Sequence, residues 1–537
     1  MARVRVPALV IMAAVLAGFL MGSVLSGQVQ AGSPLNDKLH VFTEILNFAD
    51  RFYVEEVDAV DLVEGGIRGM LEDLDPHSTY VDPDTYSRMS ERNSGQYDGI
   101  GISFEIRDGW ITVISAIEGG PSAHLGIRPG DRIIKIEGES AKDLQSEEVV
   151  AKLKGARGTE VAITVERPGV KKLFEYTIVR DRIPIYSVPY AFMLDDGKTG
   201  YVRAIRFSAT TADELEAALG QLEEHGMERL IFDLRGNSGG YLNQAIEVAD
   251  RFIKGDEVIV YTKGRINGSD QHYYSSDSAT HPHFPLIVLV NHGSASASEI
   301  VAGAVQDHDR GLVLGATTFG KGLVQRQYSL SDGSALLLTV ARYYTPSGRL
   351  IQRSYEDREA YLDHFRRLNE GEMEEESTEG RPVYHTLNEG RTVYGGGGIS
   401  PDHVLDEDYN LTEAQTRLEQ LRLFFEYANE FAAKHPEVAQ TEETAFIREF
   451  RLPDAALEEF TARASANEEL ELSEEDIRAE AEYIRGGIKR EIAGNLWGIN
   501  ARYRAIIQDD PMVDEVLGYF PDAADMARLY AKLALND

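Results

Sequence analysis

The chain contains no cysteine among its 537 residues. This absence rules out a disulfide framework, thiol catalysis and a cysteine-based zinc site. Basic residues are also few relative to acidic ones. The chain has 54 lysines and arginines and 89 aspartates and glutamates, so its formal net charge is −35. A surface this acidic argues against nucleic acid as a partner. The length allows several domains, since about 100 to 200 residues per domain is usual.

Acidic residues are absent from the N-terminus, where a basic start precedes a long apolar run. Arg3 and Arg5 come before residues 8–25, which are almost wholly apolar, and the tripeptide VQA at 29–31 fits a cleavage site. The pattern predicts an export signal over residues 1–31 and a location in the periplasm or cell envelope. The run is also long enough to span a bilayer, so either cleavage or retention as an inner-membrane anchor fits the sequence.

A sharp strand-to-helix bend lies near the middle of the chain. FPLIVLV (284–290) predicts a buried strand, NHG interrupts it, and SASEIVAGAVQ has helical spacing. A serine at such a bend is exposed at a helix N-terminus, where backbone N–H groups stabilise a developing oxyanion. Ser296 and Glu299 also form a capping-box motif, which needs no catalysis, and the motif alone fits that interpretation better.

A serine hydroxyl is a weak nucleophile and needs a base beside it. Lys321 lies between two glycines after an apolar stretch, a place where burial is expected to lower the pKa of a lysine so that it can act as a base. Gln325, four residues on, is placed to orient the amine. The stretch GATTFGKG (315–322) resembles the phosphate-loop motif G-x-x-x-x-G-K-[ST]. However, Gly322 occupies the position where the motif requires Ser or Thr, and the residues that follow have the pattern of a strand and not of a helix. The nucleotide interpretation therefore fails.

Three motifs together resemble one protease family. They are GSASASEIVAGAVQDHDRGLVLGATTFGKGLVQ, with DLRGNSGG (233–240) before it and YYTPSGR (343–349) after it. This combination resembles the carboxyl-terminal processing (tail-specific) peptidases over residues 35–402. The resemblance implies a serine endopeptidase in which Ser296 is the nucleophile, Lys321 the general base and Gln325 its support.

The resemblance also implies an oxyanion hole. One donor would be the Ala297 N–H, and the other a backbone N–H of the glycine-rich turn at 236–240, with Gly239 and Gly240 as the two candidates. Neither a metal nor any other cofactor is required. The alternative function is a catalytically inactive peptide-binding scaffold, against which the presence of serine, lysine and glutamine argues.

Residues 96–180 have the short alternating runs of a small β-rich domain, with a capped helix at 146–153. Within them, GGPSAHLGIRPGDRIIKIEG (119–138) resembles a bacterial PDZ domain, which implies capture of peptide C-termini by strand addition. By this resemblance Gly101 and Ile102 belong to the turn that holds the terminal carboxylate. Arg128 either assists that carboxylate or is a surface residue. The expected partners are proteins or peptides with free C-termini.

The expected fold is a multidomain α+β protein with a ClpP/crotonase-like α/β protease core and an inserted PDZ domain. N-terminal helices occupy residues 35–95, the PDZ domain 96–180, the core 181–352 and 398–406, and a helical C-terminal domain 407–537. That last domain, which begins with one long helix at 411–435, is predicted to serve packing, dimerisation or adaptor docking. Residues 353–397 form an acidic insertion beyond the usual family pattern and are predicted to be a mobile surface segment.

Overall fold

The protein is described by a computed structural model over residues 34–117, 119–277, 281, 283–370, 377–405 and 411–533. The export signal predicted for residues 1–31 lies outside these residues. The chain divides into two compact units, Met1–Tyr80 and Val81–Asp537. No helix in the described ranges combines the length and apolar character needed to cross a membrane.

The first unit contains the two amphipathic helices expected in this region, α1 (Pro34–Phe52) and α2 (Ala59–Glu72). Asp58 caps α2 by accepting a hydrogen bond from the Val60 N–H at 2.7 Å. The helices pack closely at Gly66, where an added methyl group would lie 3.1 Å from the Phe42 ring. The short strand β1 (Thr79–Val81) follows them.

The second unit opens with helix α3 (Pro83–Ser94), which ends at Gly95 in the left-handed conformation, with φ of 73°. Strand β2 (Gln96–Gly99) follows it and pairs antiparallel with β9 (Asp181–Pro184), which lies beyond the next domain. The chain therefore enters and leaves the domain between them through two hydrogen-bonded neighbouring strands.

That intervening domain is the β-rich module expected at 96–180. Its antiparallel sheet has the order β3-β4-β5-β7-β8, with β6 paired to β5, and Val113, Val149 and Val165 are fully buried in its core. Its elements are β3 (Ile102–Arg107), β4 (Trp110–Ala116), α4 (Pro121–His124), β5 (Arg132–Ile136), β6 (Glu139–Ser140), α5 (Ser146–Leu153), β7 (Glu160–Glu166) and β8 (Phe174–Val179).

The α/β core follows. Its elements are β10 (Tyr190–Met193), β11 (Thr199–Arg203), α6 (Thr211–Glu224), β12 (Arg229–Asp233), α7 (Leu242–Asp250), β13 (Val258–Gly264), β14 (Gln271–Tyr274), β15 (Leu286–Val290), α8 (Ala297–Asp307), β16 (Leu312–Gly315), β17 (Leu323–Ser329), β18 (Ala335–Tyr344), α9 (Arg358–Glu370), β19 (Val383–His385), β20 (Thr392–Tyr394) and β21 (His403–Val404).

One sheet of this core has the order β10-β11-β12-β15-β16-β21 and is parallel except for β10. Strand β15 reads LIVLV and is fully buried, as a central parallel strand covered on both faces must be. It lies beside β12, with Asp233 opposite Leu289. The loops that follow β12 and β15 therefore meet at the carboxyl edge of the sheet, where α/β proteins place their ligand sites.

A second, antiparallel sheet contains β14, β13, β18 and β17 in that order. Strands β17 and β18 form a hairpin around residues 330–334. The loop from β16 to β17 leads from the first sheet to the second and contains Lys321. The site described below therefore joins residues from both sheets.

The acidic insertion at 353–397 contains regular structure, and its β19–β20 hairpin is held to the core by ion pairs, so the prediction of a mobile surface segment is wrong for this hairpin. It contains α9 and the antiparallel β19–β20 hairpin. Arg391 connects this hairpin to the core, since its guanidinium pairs with Asp309 at 2.7 Å and with Asp402 at 2.5 Å. Composition predicted a solvated segment because these carboxylate partners lie outside it in sequence.

The C-terminal region is helical, as expected. Its elements are α10 (Glu413–Gln420), α11 (Leu423–Lys434), a 3₁₀ turn (Val438–Gln440), α12 (Glu443–Glu449), α13 (Asp454–Ser465), α14 (Glu474–Ala479), α15 (Ala481–Trp497), α16 (Ile499–Gln508), α17 (Pro511–Leu517) and α18 (Phe520–Leu533). The single helix predicted over 411–435 is wrong, because Arg422 has a φ of 49° and separates α10 from α11.

These helices have two roles. Those from α10 to α15 enclose their own core, which includes Phe424, Phe460 and Ile484. The last helices instead cover one face of the parallel sheet, where Tyr503 and Phe520 join one apolar cluster with the sheet residues. Helices α16 to α18 therefore form a layer of the α/β core, and they complete the burial that a parallel sheet requires.

The β-rich domain also contacts the C-terminal helices. Arg107 of β3 pairs with Glu426 of α11 at 3.2 Å, and its guanidinium lies 5.1 Å from the centre of the Phe425 ring. A second ion pair joins Arg422 to Glu105. Helix α11 thus holds the outer end of β3 through charge and aromatic contacts.

Candidate active site

The turn after β15 presents Ser296 in a strained conformation. Ser296 has a φ of 55° and a ψ of −110°, which is rare for a residue with a side chain and is typical of functional turns. It is half-buried, whereas its neighbours Ala295 and Ala297 are buried. The bend therefore leaves this serine accessible at the first turn of α8, in the geometry of a strand-to-helix nucleophile turn.

Lys321 and Gln325 are in direct contact. The Lys321 ammonium donates a hydrogen bond to Gln325 Oε1 at 2.6 Å, so the glutamine lies where the sequence placed it. Lys321 is half-buried in the loop before β17, and Gln325 is on that strand. The amide oxygen fixes the direction of the lysine side chain. The catalytic roles of both residues stay predictions at this point.

The carboxylate of Glu299 ties the serine turn to the lysine turn. Its Oε2 accepts the Ser296 N–H at 2.7 Å and the Lys321 N–H at 2.9 Å. Its Oε1 accepts the Thr318 hydroxyl at 2.6 Å and the Gly320 N–H at 2.7 Å. The side chain is completely buried, and this burial raises the pKa of Glu299. One buried carboxyl group therefore sets the separation of the two turns.

Tyr343 supports the same two residues from β18. Its hydroxyl lies 3.0 Å from the Ser296 carbonyl oxygen and also within hydrogen-bond distance of the Lys321 carbonyl oxygen. Burial raises the pKa of this phenol well above its usual range, so it keeps its proton and acts as a donor. Sequence reasoning missed both supporting roles. The Ser296–Glu299 spacing suggested only a helix cap, and Tyr343 lay unremarked in the YYTPSGR motif.

The glycine-rich turn after β12 packs against the serine. A methyl group added to Gly239 would lie 2.7 Å from the Ala295 carbonyl oxygen and 2.8 Å from Ser296 Cβ. The same addition at Gly240 would instead lie 2.0 Å from the Phe207 carbonyl oxygen. Of the two glycines predicted for the oxyanion hole, Gly239 is therefore the one that packs against the turn containing Ser296.

The hydrogen bonds of the glycine turn at 236–240 occupy the Gly239 N–H, one of the two predicted oxyanion donors. The Gly239 N–H donates to Asn237 Oδ1 at 2.9 Å, so this predicted oxyanion donor has a partner within its own loop. The Asn237 carbonyl oxygen accepts the Ala295 N–H at 2.9 Å and the Ser298 hydroxyl at 2.8 Å, which connects the glycine turn to α8. Ala297, the other predicted donor, is the first residue of α8, where a backbone N–H has no acceptor within the helix.

The three residues predicted to bind a peptide tail lie in the β-rich domain. Gly101 has a φ of 75°, and its carbonyl oxygen accepts the Ile117 N–H at 2.9 Å. Ile102 is the first residue of β3 and is half-buried. Arg128 is exposed, and its backbone N–H donates to Asp131 Oδ2 at 2.9 Å. Their roles in binding stay predictions.

Comparisons with known proteins agree with this architecture. The model of peptidase family S41 matches residues 198–357, a PDZ domain model matches 112–167, and a model of the activating protease CtpB N-terminal domain matches 23–85. The carboxy-terminal-processing protease of Bartonella bacilliformis is 38% identical over 327 residues, which span 59% of this chain and 74% of that protein. CtpB of Bacillus subtilis is 36% identical over 327 residues, or 60% and 68% of the two chains.

Among solved structures, a photosystem II D1 C-terminal processing protease is 26% identical and covers 68% of this chain and 93% of its own, with a TM-score of 0.34. The α/β core and its PDZ module define the class of the protein as a serine-type endopeptidase. The chain belongs to the carboxy-terminal processing proteases of peptidase family S41. The expected family and fold class are therefore confirmed.

Replacement of Glu299 by glutamine tests the connection between the two turns. An amide has only one acceptor oxygen, so either the Ser296 and Lys321 bonds or the Thr318 and Gly320 bonds are lost. Hydrogen bonds to a charged group contribute about 1.5–3 kcal/mol each, so we expect kcat to fall about 10- to 100-fold. In the wild type, protonation of Glu299 removes an acceptor in the same way, so activity should fall as pH drops through its raised pKa.

Steady-state kinetics across pH and thermal unfolding of Glu299→Gln measure this effect. The matched control is Glu228→Gln, which neutralises an exposed carboxylate paired with Lys198. The control should keep wild-type kcat and unfolding temperature. Wild-type kcat in Glu299→Gln would show that the separation of the turns does not depend on this carboxylate.

Proposed function

We propose that the protein is an exported endopeptidase that cleaves unstructured or C-terminally tagged proteins by a serine–lysine mechanism. The observation that carries the proposal is that Glu299 accepts backbone N–H bonds from both Ser296 and Lys321. A strained, accessible serine and an oriented lysine amine are thereby attached to one buried group. An adjacent base is what a serine hydroxyl needs in order to act as a nucleophile.

In the proposed reaction, Ser296 Oγ attacks the scissile carbonyl carbon while the neutral Lys321 amine takes the hydroxyl proton. The resulting ammonium gives that proton to the leaving amine, and an ester remains on Ser296. Water then attacks the ester while the neutral Lys321 amine takes its proton; the bond from the acyl carbon to Ser296 Oγ breaks, the ammonium returns the proton to Oγ, and the acyl group leaves as a carboxylic acid. Gln325 accepts a hydrogen bond from the amine throughout and holds its direction.

The oxyanion is stabilised by the N–H groups of Ala297 and Gly239. Because the Gly239 N–H donates to Asn237 Oδ1 in this structure, it has to leave that acceptor when the substrate oxygen arrives. Substrate binding thus competes with a bond inside the glycine turn, and this provides a way to keep the hole closed when no substrate is present.

Export is supported by the sequence of residues 1–31, where two arginines precede an apolar run and a small-residue cleavage site. We propose a periplasmic or cell-envelope location on that basis. Fractionation of cells that express the full chain, with N-terminal sequencing of the mature protein, distinguishes a cleaved signal from a retained anchor. Recovery of the full chain from the cytosol would contradict export.

The direct test of the activity is incubation of the purified full chain with an unfolded casein-like substrate, followed by mass spectrometry of the products. Internal cleavage that a Ser296→Ala variant lacks would support a serine endopeptidase. Tail binding without cleavage under any condition would favour the inactive scaffold.

We propose that the PDZ domain selects substrates by binding their C-termini. Its structural module is present, and such domains bind a peptide terminus by pairing it with a strand while backbone N–H groups hold its carboxylate. We propose that β3, preceded by the turn at Gly101, performs this function. The contacts of α11 with the outer end of β3 would then meet substrate residues upstream of the terminus.

Amidation of the C-terminus of a peptide substrate should slow its cleavage about tenfold. The reason is that it removes the negative charge from hydrogen bonds that contribute about 1.5–3 kcal/mol. The comparison uses kcat/KM for acid and amide forms of one unstructured peptide with an apolar last residue. Amidation of a side-chain carboxylate far from the terminus serves as the control. Equal rates for the two terminal forms would mean that the domain does not read the carboxylate.

A further inference from the structure

A large cavity lies between the α/β core and the C-terminal helices. Its volume is about 1090 Å³, comparable to the roughly 300–1,000 Å³ typical of ligand pockets. Arg203 and Arg235 line it from the core, at the ends of β11 and β12, and residues of α15 and α16 line it from the helical side. The cavity is separate from the proposed peptide groove of the PDZ domain.

The wall of this cavity is richer in cationic residues than the protein as a whole. Seven of the residues that line it are arginine or lysine and four are aspartate or glutamate. Three of these cations, Arg235, Arg485 and Arg490, also have carboxylate partners outside the lining: Asp233, Asp454 and Glu419. In the complete chain, acids outnumber bases by 89 to 54. A local excess of cations in so acidic a chain creates a positive potential that attracts anions.

Arg203 keeps unused capacity for an anion. Its guanidinium donates to the Arg235 carbonyl oxygen at 3.1 Å and also to the Tyr503 hydroxyl, and both partners are uncharged groups. No carboxylate of the described residues lies within 4 Å of it, and its buried Nε has no hydrogen-bond partner among them. Burial lowers the pKa of Arg203, but Asp233 acts on it from beyond 4 Å and the net pKa is raised, so its charge is balanced through space and not by a direct contact.

Lys489 of α15 is a second buried cation, and its ion pair with Asp509 is long. It is only 8% exposed, and the carboxylate oxygen of Asp509 lies 3.6 Å from its ammonium, which is too long for a hydrogen bond. Arg485, one turn earlier on the same helix, is 9% exposed and pairs with Asp454 at 2.6 Å, so it adds to the charge of the wall but is already compensated. A buried cation such as Lys489, whose ion pair is long, is costly unless a ligand completes it.

We propose that this cavity is a binding site for a small multivalent anion that bears phosphate or carboxylate groups. Arg203 from the core and Lys489 from α15 are its principal ligands, and Arg485 adds to the charge around it. Two cations from different parts of the fold favour an anion with at least two charges. Arginine also matches the planar, two-oxygen geometry of carboxylates and phosphates.

The position of the site gives its occupant access to the catalytic loops. Gly236 and Asn291 line the cavity, and they belong to the glycine turn and to the turn that precedes Ser296. Asn291 Oδ1 accepts the Gly236 N–H at 2.8 Å and the Gly293 N–H at 3.1 Å, so it joins the two loops. A bound anion therefore rests against a connection between the two halves of the proposed active site.

Isothermal titration calorimetry on the full chain tests the proposal, with inorganic pyrophosphate and citrate as separate probes at constant pH and ionic strength. We expect saturable binding of one equivalent of at least one probe. Binding of pyrophosphate alone assigns a phosphate ligand, binding of citrate alone assigns a polycarboxylate, and binding of both assigns a general multivalent site. Absence of saturable binding by either probe overturns the proposal.

The variant Lys489→Gln should weaken this binding about tenfold, because a charge-assisted hydrogen bond of about 1.5–3 kcal/mol is lost. The matched control is Lys434→Gln, which removes an exposed lysine paired with Glu459 at 2.9 Å in the same helical region. The control should bind as the wild type does. Equal affinities in all three proteins would also overturn the site.

A measurement on the wild type covers the case in which Lys489→Gln does not fold. Lysine acetylation, followed by mass spectrometry, should be slowed at Lys489 by whichever probe binds and unchanged at Lys434. Equal acetylation of Lys489 with and without the probes contradicts the proposal. All these readouts report binding, so they remain informative if the proposed peptidase mechanism fails.

Discussion

Replacing either Ser296 or Lys321 with alanine is expected to lower kcat on an unfolded substrate by about 10⁶-fold while leaving the fold intact. This magnitude is the one found in serine peptidases, where loss of the nucleophile alone or of its base alone lowers kcat about as much as loss of both. Because the two residues act in one proton transfer, the double variant should be no slower than either single variant. Cleavage measured by mass spectrometry over long incubation covers the required range.

Two neighbouring substitutions control for nonspecific damage. Ser298→Ala removes a buried hydroxyl that donates to the Asn237 carbonyl oxygen, so it should cost about 1 kcal/mol of stability but retain most activity. Lys198→Ala removes an exposed lysine paired with Glu228 and should change neither property. Substantial activity in Ser296→Ala or in Lys321→Ala, with the fold verified by circular dichroism, would disprove the assignment of that residue.

Replacement of Gly239 by alanine should lower kcat by about 10²- to 10³-fold with little change in KM. Gly239 has a φ of 97°, which an alanine adopts only with strain, and the new methyl group would lie 2.7–2.9 Å from atoms of the serine turn. Both effects displace the proposed oxyanion donor. Loss of one such donor has this magnitude, and it acts on the transition state more than on substrate binding.

Gly220→Ala is the matched control for this variant. Gly220 lies within α6, where an added methyl group has no neighbour within 4 Å, and alanine favours the helix by up to about 1 kcal/mol. We expect wild-type kcat and equal or higher stability. If Gly239→Ala keeps wild-type kcat, the Gly239 N–H is not an oxyanion donor, and Gly240 becomes the candidate.

The places where prediction failed share a physical cause. The acidic insertion looked solvated because composition alone carries no information about Asp309 and Asp402, which pair with Arg391. One long helix was expected at 411–435 because the apolar periodicity continues across Arg422. The left-handed backbone of Arg422, which ends the first helix, has no signal in the neighbouring sequence. The packing of helices α16 and α17 on the parallel sheet was not predicted, because their apolar faces match residues that lie far away in sequence.

The sequence by itself determined the features that depend on neighbours along the chain. The apolar run of β15, the bend that follows it and the identities of Ser296, Lys321 and Gln325 are local properties, since burial, turn formation and side-chain chemistry depend on the residues at those positions. Only the tertiary structure decided how these parts are held. Glu299 reaches Gly320, which is 21 residues away, and Arg203 reaches Tyr503, which is 300 residues away. Such contacts follow from packing of the whole chain, so periodicity and motif spacing along the sequence do not specify them.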